Sequence, residues 1–213
     1  MLTIHHLGMS QSERIVWLCE ELGLPYELQR YERDPVTRFA PPPLLQLHPS
    51  GTAPVITDGA LMLAESGAII EYITAKYADG RLTLGPADPD FAQYLYWFHY
   101  ANASLQPSMS RYSALCRLDP APDNPALAWA RGRMERAVGL VEARCGEADY
   151  LAGHAFSAAD IMGVFSLTTM RVFQPFDLAH YPNIRAYLQR IGQRPAYLRA
   201  MHKADPALTS LLT

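Results

Sequence analysis

The sequence predicts a chain in two parts: a mixed α/β unit over residues 1–79, a linker over 80–88 and an all-helical unit over 89–213. Three observations predict it. Strand-like and helix-like patterns alternate as far as Tyr77, in the order β-α-β-(α)-β-β-α, which makes a mixed sheet with helices on its faces. The turn dipeptides Asp79-Gly80, Gly85-Pro86 and Asp88-Pro89 then crowd together and mark a boundary. Beyond them strand signals fade and the apolar spacing turns helical.

Leu2, Ile4 and Leu7 open the first strand. In the helix after it, Ser12 is a candidate N-cap and Glu13 suits the positive helix end. Ile15, Leu18, Cys19 and Leu22 make its apolar stripe, and Gly23 stops it as a C-terminal glycine does. Tyr26 to Tyr31 reads as a second strand, Asp34 to Pro43 as irregular, and Leu44 to Leu47 as a short helix.

The stretch from His48 to Tyr72 organises the rest. Ser50-Gly51 is a turn signal, and Val55, Ile56 and Thr57 suit a short strand. Asp58-Gly59 is a strong hairpin signal, with Leu61 to Leu63 as the returning strand. Pro54 sits at the mouth of the first strand, where its missing N–H costs least. Glu65-Ser66 opens a helix with Ile69, Ile73 and Tyr77 on one face. Such a segment can hold a short peptide at two points. The backbone at Ala53 can pair with it as an added strand, and the helix start can receive a carboxylate. Read structurally, it is a hairpin followed by a capped helix.

In the second part, Phe91 to Leu118 reads as a long helix that bends or breaks at Pro107. Pro125 suits the first turn of a helix running to about Cys145, and Asn183 to Arg194 and Ala196 to His202 are two more. In Phe156-Ser157-Ala158-Ala159-Asp160-Ile161, Ser157 can cap a helix while Asp160 reaches back to the Ser157 N–H. Phe156 and Ile161 can close around that capping box as a hydrophobic staple.

Composition narrows the function classes. Hydrophobic content of 49% and charged content of 18% are those of a soluble globular protein. Eighteen basic against 21 acidic residues give a formal charge of -3, and no basic run suggests a nucleic-acid partner. The apolar stretch Ile161 to Phe173 is interrupted by Ser166, Thr168, Thr169 and Arg171, too short and polar to span a bilayer. No secretory signal is evident at the N-terminus. Cys19, Cys116 and Cys145 form no C-x-x-C pair, which suits a reducing cytoplasm. The histidines lack metal-binding spacing, so no metal is expected.

Taken together, four stretches resemble the cytosolic glutathione transferase family, over nearly the whole chain. Ser10-Gln11-Ser12-Glu13-Arg14 resembles the motif after the first strand in the serine-type classes. Ser50 to Val55 resembles the loop carrying the family's cis-proline. Glu65-Ser66 resembles the acidic-serine pair that grips the γ-glutamyl end of glutathione. Ser157 to Asp160 is similar to the helical domain's capping box. The prolines and histidine in Ala40 to Pro49 look most like a bacterial and fungal branch.

The resemblance implies a thioredoxin-like domain followed by an all-α domain. It implies a cytoplasmic homodimer that conjugates glutathione to a hydrophobic electrophile in detoxification. Ser10 is then the catalytic residue, its hydroxyl stabilising the glutathione thiolate, with Ser12 as cap and as rival activator. Ala53, beside a cis Pro54, would face the cysteinyl part, Ser66 would bind the γ-glutamyl carboxylate, and Glu65 the ammonium. At Thr52 many relatives carry a basic residue or Gln, so Arg38 or His48 is left to meet the glycyl carboxylate. The electrophile would sit between the domains against the Phe91–Leu118 helix, with Trp97, Tyr100, Met109 and Tyr112 as candidate wall residues; a helix core explains the same four.

Two other readings stand beside this one. The chain could be a non-catalytic member of the fold that binds glutathione or a protein, or a glutathione-dependent peroxidase or isomerase. Cysteine-based chemistry is disfavoured, because Ser10 stands where a nucleophilic Cys would be expected.

Overall fold

A computed structural model describes residues 1–213. The chain forms two compact units, one of Met1–Thr83 with Ile191–Ser210, the other of Leu84–Arg190 with Leu211–Thr213.

The first unit is a four-stranded sheet with helices. Its strands are β1 (Leu2–Leu7), β2 (Glu27–Tyr31), β3 (Val55–Asp58) and β4 (Leu61–Ala64), in the spatial order β2-β1-β3-β4. β1 runs parallel to β2 and antiparallel to β3, and β3 to β4 is a hairpin with Asp58 opposite Leu61. The turn is therefore Gly59-Ala60, one residue later than the Asp58-Gly59 signal suggested. Gly59 has φ +61, which a first turn position of the II′ kind requires. Asp58 stays in the strand and accepts from the Tyr72 and Tyr77 hydroxyls and the Lys76 ammonium.

Helix α1 (Glu13–Leu22) buries Ile15, Val16, Leu18 and Cys19, and Gly23 closes it at φ +64. The short α2 spans Pro42–Leu45, two residues earlier than the Leu44–Leu47 expectation, because Pro42 and Pro43 fit a helix's first positions. α3 (Ser66–Tyr77) buries Ile69, Ile70 and Ile73. Each such side chain contributes about 1.5–3 kcal/mol of burial.

Three helices of the second unit derive from the long segment after the linker. α4 (Phe91–Tyr100) runs into a π-helical turn, Ala101–Leu105, and then α5 (Gln106–Cys116). The helix widens just before Pro107, which lacks an N–H and whose ring would collide with the preceding turn's carbonyl. α6 (Pro125–Glu147) is capped by Asn124, whose side chain accepts from the Ala126 and Leu127 N–H groups. α7 (Ala158–Leu167) is buried throughout. α8 is Pro182–Gly192.

The capping box at α7 forms as the sequence suggested. Asp160 accepts from the Ser157 N–H at 2.9 Å, the Leu151 N–H at 2.8 Å and the Tyr187 hydroxyl at 3.0 Å. Burial pushes its carboxyl up to about 6, although those three donors favour the ionised form.

The last helix, α9 (Pro195–Ala204), is where packing departs from chain order. It belongs to the first unit, against α1, rather than with the helical segment that precedes it. The reason lies in α1's outer face. Trp17 meets Tyr197 edge-on at 5.0 Å, Glu21 takes a forked pair of bonds from Arg194, and Glu20 takes Arg199 and Lys203. Burial opposes ionisation of Glu20, but the bonds from Lys203, Arg199 and Tyr26 outweigh it and hold its carboxyl below the usual range. No helix of the chain is long and apolar enough to cross a membrane.

Candidate functional site

Strand periodicity sends His5 and His6 to opposite faces of β1. His5 meets the Tyr31 hydroxyl at 3.0 Å, and burial holds its imidazole below the ordinary value. His6 is fully buried, and its Nδ1 lies 2.8 Å from Ser12 Oγ. The chain leaves β1 through Gly8 and Met9, with Met9 at φ 53, and Ser10 follows.

Three sets of contacts hold this loop. Arg33 donates to the Gly8 carbonyl at 2.8 Å and the Met9 carbonyl at 3.3 Å. Asp205, just past α9, accepts from the Met9 N–H at 3.0 Å. Ser12 Oγ accepts from the Leu7 N–H at 3.1 Å and lies 2.7 Å from Ser10 Oγ. Gly8 permits the close approach of Asp205, since a Cβ there would stand 3.3 Å from Asp205 Oδ1.

Ser12 does not act as the cap the sequence suggested. It precedes α1, but its backbone is already helical, and its side chain makes no bond to the helix's N–H groups. His6, Leu7 and Ser10 claim the hydroxyl instead. The two early serines also differ in access: Ser10 keeps 7% of its surface open, whereas Ser12 keeps none. Cys19 is buried inside α1, and burial with the neighbouring Glu20 pushes its thiol up to about 12, far from a nucleophile's range.

The second arm of the site is the central stretch. The Ala53–Pro54 bond is cis, and Pro54 leads into β3. Glu65 is exposed at φ 73, immediately before α3. Ser66 is the first residue of α3, with Glu65 at the N-cap position, and its Oγ accepts from Arg14 Nη1 at 3.0 Å. Arg14, fully buried on α1, also donates to Gln11 Oε1 at 2.6 Å. Burial lowers its guanidinium to about 9, with Glu13 opposing, so it remains a cation at neutral pH. A positive charge thus stands behind Ser66 at a helix N-terminus, a setting that favours a carboxylate.

On the loop before Pro54, Thr52 Oγ1 donates to Ser50 Oγ at 3.0 Å, and Ser50 Oγ lies 2.9 Å from His48 Nδ1. His48 and Thr52 therefore share one polar cluster. Arg38 instead has Nη2 4.0 Å from Met9 Sδ, beside the Ser10 loop.

Within the second unit, Met109, Tyr112, Cys116, Met134, Phe173 and Phe176 help line a cavity of about 290 Å³. Trp97 and Tyr100, candidate wall residues with Met109 and Tyr112 that a helix core explained as well, are core residues. Trp97 donates to Gln93 and Tyr100 to the Ala137 carbonyl, and both rings are buried.

Sequence reasoning missed His6, Asp205 and the role of Arg14. A charged residue within an apolar helix stripe was a usable signal for Arg14. His6 stood in a strand pattern as an unexplained inward polar residue, and nothing in the sequence tied it to a carboxylate 199 positions on.

Comparison with known proteins places these residues in context. Residues 8–76 match the family model "Glutathione S-transferase, N-terminal domain", and residues 99–195 match "Glutathione S-transferase, C-terminal domain". Glutathione S-transferase 3 of Schizosaccharomyces pombe is 28% identical, over 100% of this chain and 92% of its own. A glutathione S-transferase structure from Actinobacillus pleuropneumoniae superposes with a TM-score of 0.85 at 33% identity, covering 96% of this chain and 93% of that one. A sphingomonad glutathione S-transferase solved with glutathione shares the fold, with a TM-score of 0.75 at 24% identity over 97% and 100% of the two chains.

Proposed function

The chain belongs to the glutathione S-transferase family, and on that premise we propose that it activates glutathione as a thiolate through Ser10 and conjugates it to a hydrophobic electrophile. The observation that carries the assignment of Ser10 is that it keeps 7% of its surface open beside a wholly buried Ser12, at the loop joining β1 to α1. Of the two serines, only the first keeps any surface at which a ligand could meet it.

The energetics are modest enough for one hydroxyl. A free thiol titrates near 8.5. Bringing it to neutrality needs a shift of about 1.5, or about 2 kcal/mol. A hydrogen bond to a charged group contributes about 1.5–3 kcal/mol, and a nearby helix N-terminus about 0.3–1 kcal/mol. Ser10 forms no covalent bond; the substrate's own sulfur is the nucleophile.

In this reading the rest of the first unit positions the tripeptide. The Ala53 backbone next to Pro54 pairs with its cysteinyl part. Ser66, backed by Arg14, takes the γ-glutamyl carboxylate, and Glu65 takes the ammonium. The cluster of Thr52, Ser50 and His48 lies at the glycyl end, and the His48 imidazole rather than Arg38 is the group joined to Thr52 there. The cavity beside Met109 and Tyr112 is the candidate apolar site for the electrophile. The working form is a cytoplasmic homodimer, as in the family generally.

The test is turnover of an activated aryl halide by Ser10→Ala. Loss of one preorganised donor predicts a fall in kcat/KM of roughly 10²-fold. A rate equal to the native one would remove Ser10 from the mechanism.

A further inference from the structure

Ser10, Ser12, His6 and Asp205 stand in one buried line. Ser10 Oγ is 2.7 Å from Ser12 Oγ, Ser12 Oγ is 2.8 Å from His6 Nδ1, and His6 Nε2 is 3.3 Å from Asp205 Oδ2. The last approach has ion-pair length without the alignment of a hydrogen bond. We propose that His6 takes up the thiol proton of bound glutathione through the Ser10 and Ser12 hydroxyls, and that Asp205 holds the imidazolium that results. This rests on the reading of Ser10 as the residue that meets the sulfur.

The hydrogen-bond inventory shows why the line can carry a proton. Ser12 Oγ has one hydrogen to give, and the Leu7 N–H already fills one of its lone pairs. Its hydrogen can go to Ser10, to His6 or, at a longer 3.4 Å, to the Leu7 carbonyl; along the line it donates to one of Ser10 and His6 and accepts from the other. With His6 Nδ1 bare, Ser12 donates to the ring, Ser10 donates to Ser12, and the Ser10 oxygen faces the ligand as an acceptor for S–H. With His6 Nδ1 protonated, every bond reverses. The ring donates to Ser12, Ser12 to Ser10, and Ser10 to a thiolate. Both states leave each hydroxyl satisfied.

The transfer between them balances. The S–H bond breaks as an O–H bond forms on Ser10. The former Ser10 O–H bond breaks as one forms on Ser12, and the former Ser12 O–H bond breaks as an N–H bond forms on His6 Nδ1. Sulfur ends negative and the imidazole positive, and Nε2 keeps its own proton toward Asp205. No electron leaves the site.

Asp205 is held where it can face the ring. Asp205 cannot swing away, because its other oxygen accepts from the Met9 N–H at 3.0 Å. The charged groups bearing on the pair are few. Arg33 acts on Asp205 while donating to the loop carbonyls. Arg30, the register partner of His6 on β2, is paired with exposed Glu32, which also stands near Gly8. On α1, Arg14 is directed to Gln11 and Ser66; on α9, Lys203 is taken up by Glu20. A buried carboxylate–imidazole pair costs desolvation, and a merely structural Ser12 would be better satisfied by capping α1. His6 and Asp205 act through the serines, so they are positioning residues.

The experiment counts protons. Glutathione is titrated calorimetrically into the protein near pH 7, in buffers of different protonation enthalpy, with S-methylglutathione as the thiol-free control. Ultraviolet absorbance reports the thiolate formed. The expected result for the native protein is well under half a proton released per thiolate. In His6→Asn, which keeps an acceptor for Ser12 but takes no proton, release rises to about one, and the thiol titrates roughly tenfold less completely at the same pH. Asp205→Asn, which keeps the acceptor for Met9, shifts both readings the same way by less. Release of one proton per thiolate from the native protein overturns the proposal without recourse to any variant. So does a His6→Asn titration that coincides with the native one while Ser10→Ala loses the thiolate. Retention of the thiolate by Ser10→Ala would instead sink the underlying assignment of Ser10.

Discussion

Two helices in this chain are preceded by a serine, and the two serines do opposite things. Ser157 turns its backbone extended, caps α7 and receives Asp160 in return. Ser12 stays helical, leaves the α1 donors alone and spends its hydroxyl on His6, Leu7 and Ser10. The first arrangement closes on itself and serves the fold. The second keeps some surface at Ser10 and is the one proposed to serve chemistry. The difference teaches that a Ser before a helix reports only that an oxygen is present; what surrounds it decides where the hydroxyl points.

The largest expected effect comes from breaking the closed arrangement. Asp160→Ala strands the Leu151 and Ser157 N–H groups and the Tyr187 hydroxyl in the interior, at about 1–3 kcal/mol for each donor. Urea denaturation should show a loss of roughly 3–5 kcal/mol, while the surviving folded fraction ionises glutathione as before. A loss below 1 kcal/mol would mean the box is ornamental.

A smaller effect is its pH dependence. Asp160 titrates at about 6 in the folded chain, above the ordinary value of 3.8. The folded state therefore binds more protons than the unfolded one across that window. The contribution of this group is fully present below about 4 and is lost as pH rises through about 6. The native protein should lose about 1–3 kcal/mol more than Asp160→Asn between these limits. Parallel stability curves for the two proteins would contradict it.

The smallest effect belongs to the open arrangement. Ser12→Ala should lower kcat/KM about tenfold, or about 1.4 kcal/mol, with glutathione affinity nearly unchanged. It cuts the link behind Ser10 without touching the ligand. Equal activity in this variant would make Ser12 a structural filler and bring the two serines back into one class.

How much was legible can be argued from particular residues. The capping box could be read directly, because all its parts lie within four positions and its chemistry is local. The hairpin was visible but displaced by one residue, since Asp58 is kept in the strand by Tyr72, Lys76 and Tyr77. At Pro107 a bend or break was expected, and the helix instead runs on through a π-helical turn just before it. Ser10, Pro54, Glu65 and Ser66 were candidates from motif resemblance, and the structure places Arg14 between the Ser10 loop and Ser66. For Trp97 and Tyr100 the sequence left wall and core both open, because an aromatic stripe looks alike whether it faces a core or a cavity; their burial fits the core.

The amino-acid sequence by itself determined the order of elements, the division between sheet and helices, and the local caps and turns. These depend on interactions a few residues apart, which pattern and propensity record. Only the tertiary structure decided that α9 returns to α1, that Asp205 comes beside His6, and that Ser12 faces inward. Those outcomes join positions far apart in the chain, where burial and the need to pair every buried polar group choose the partner.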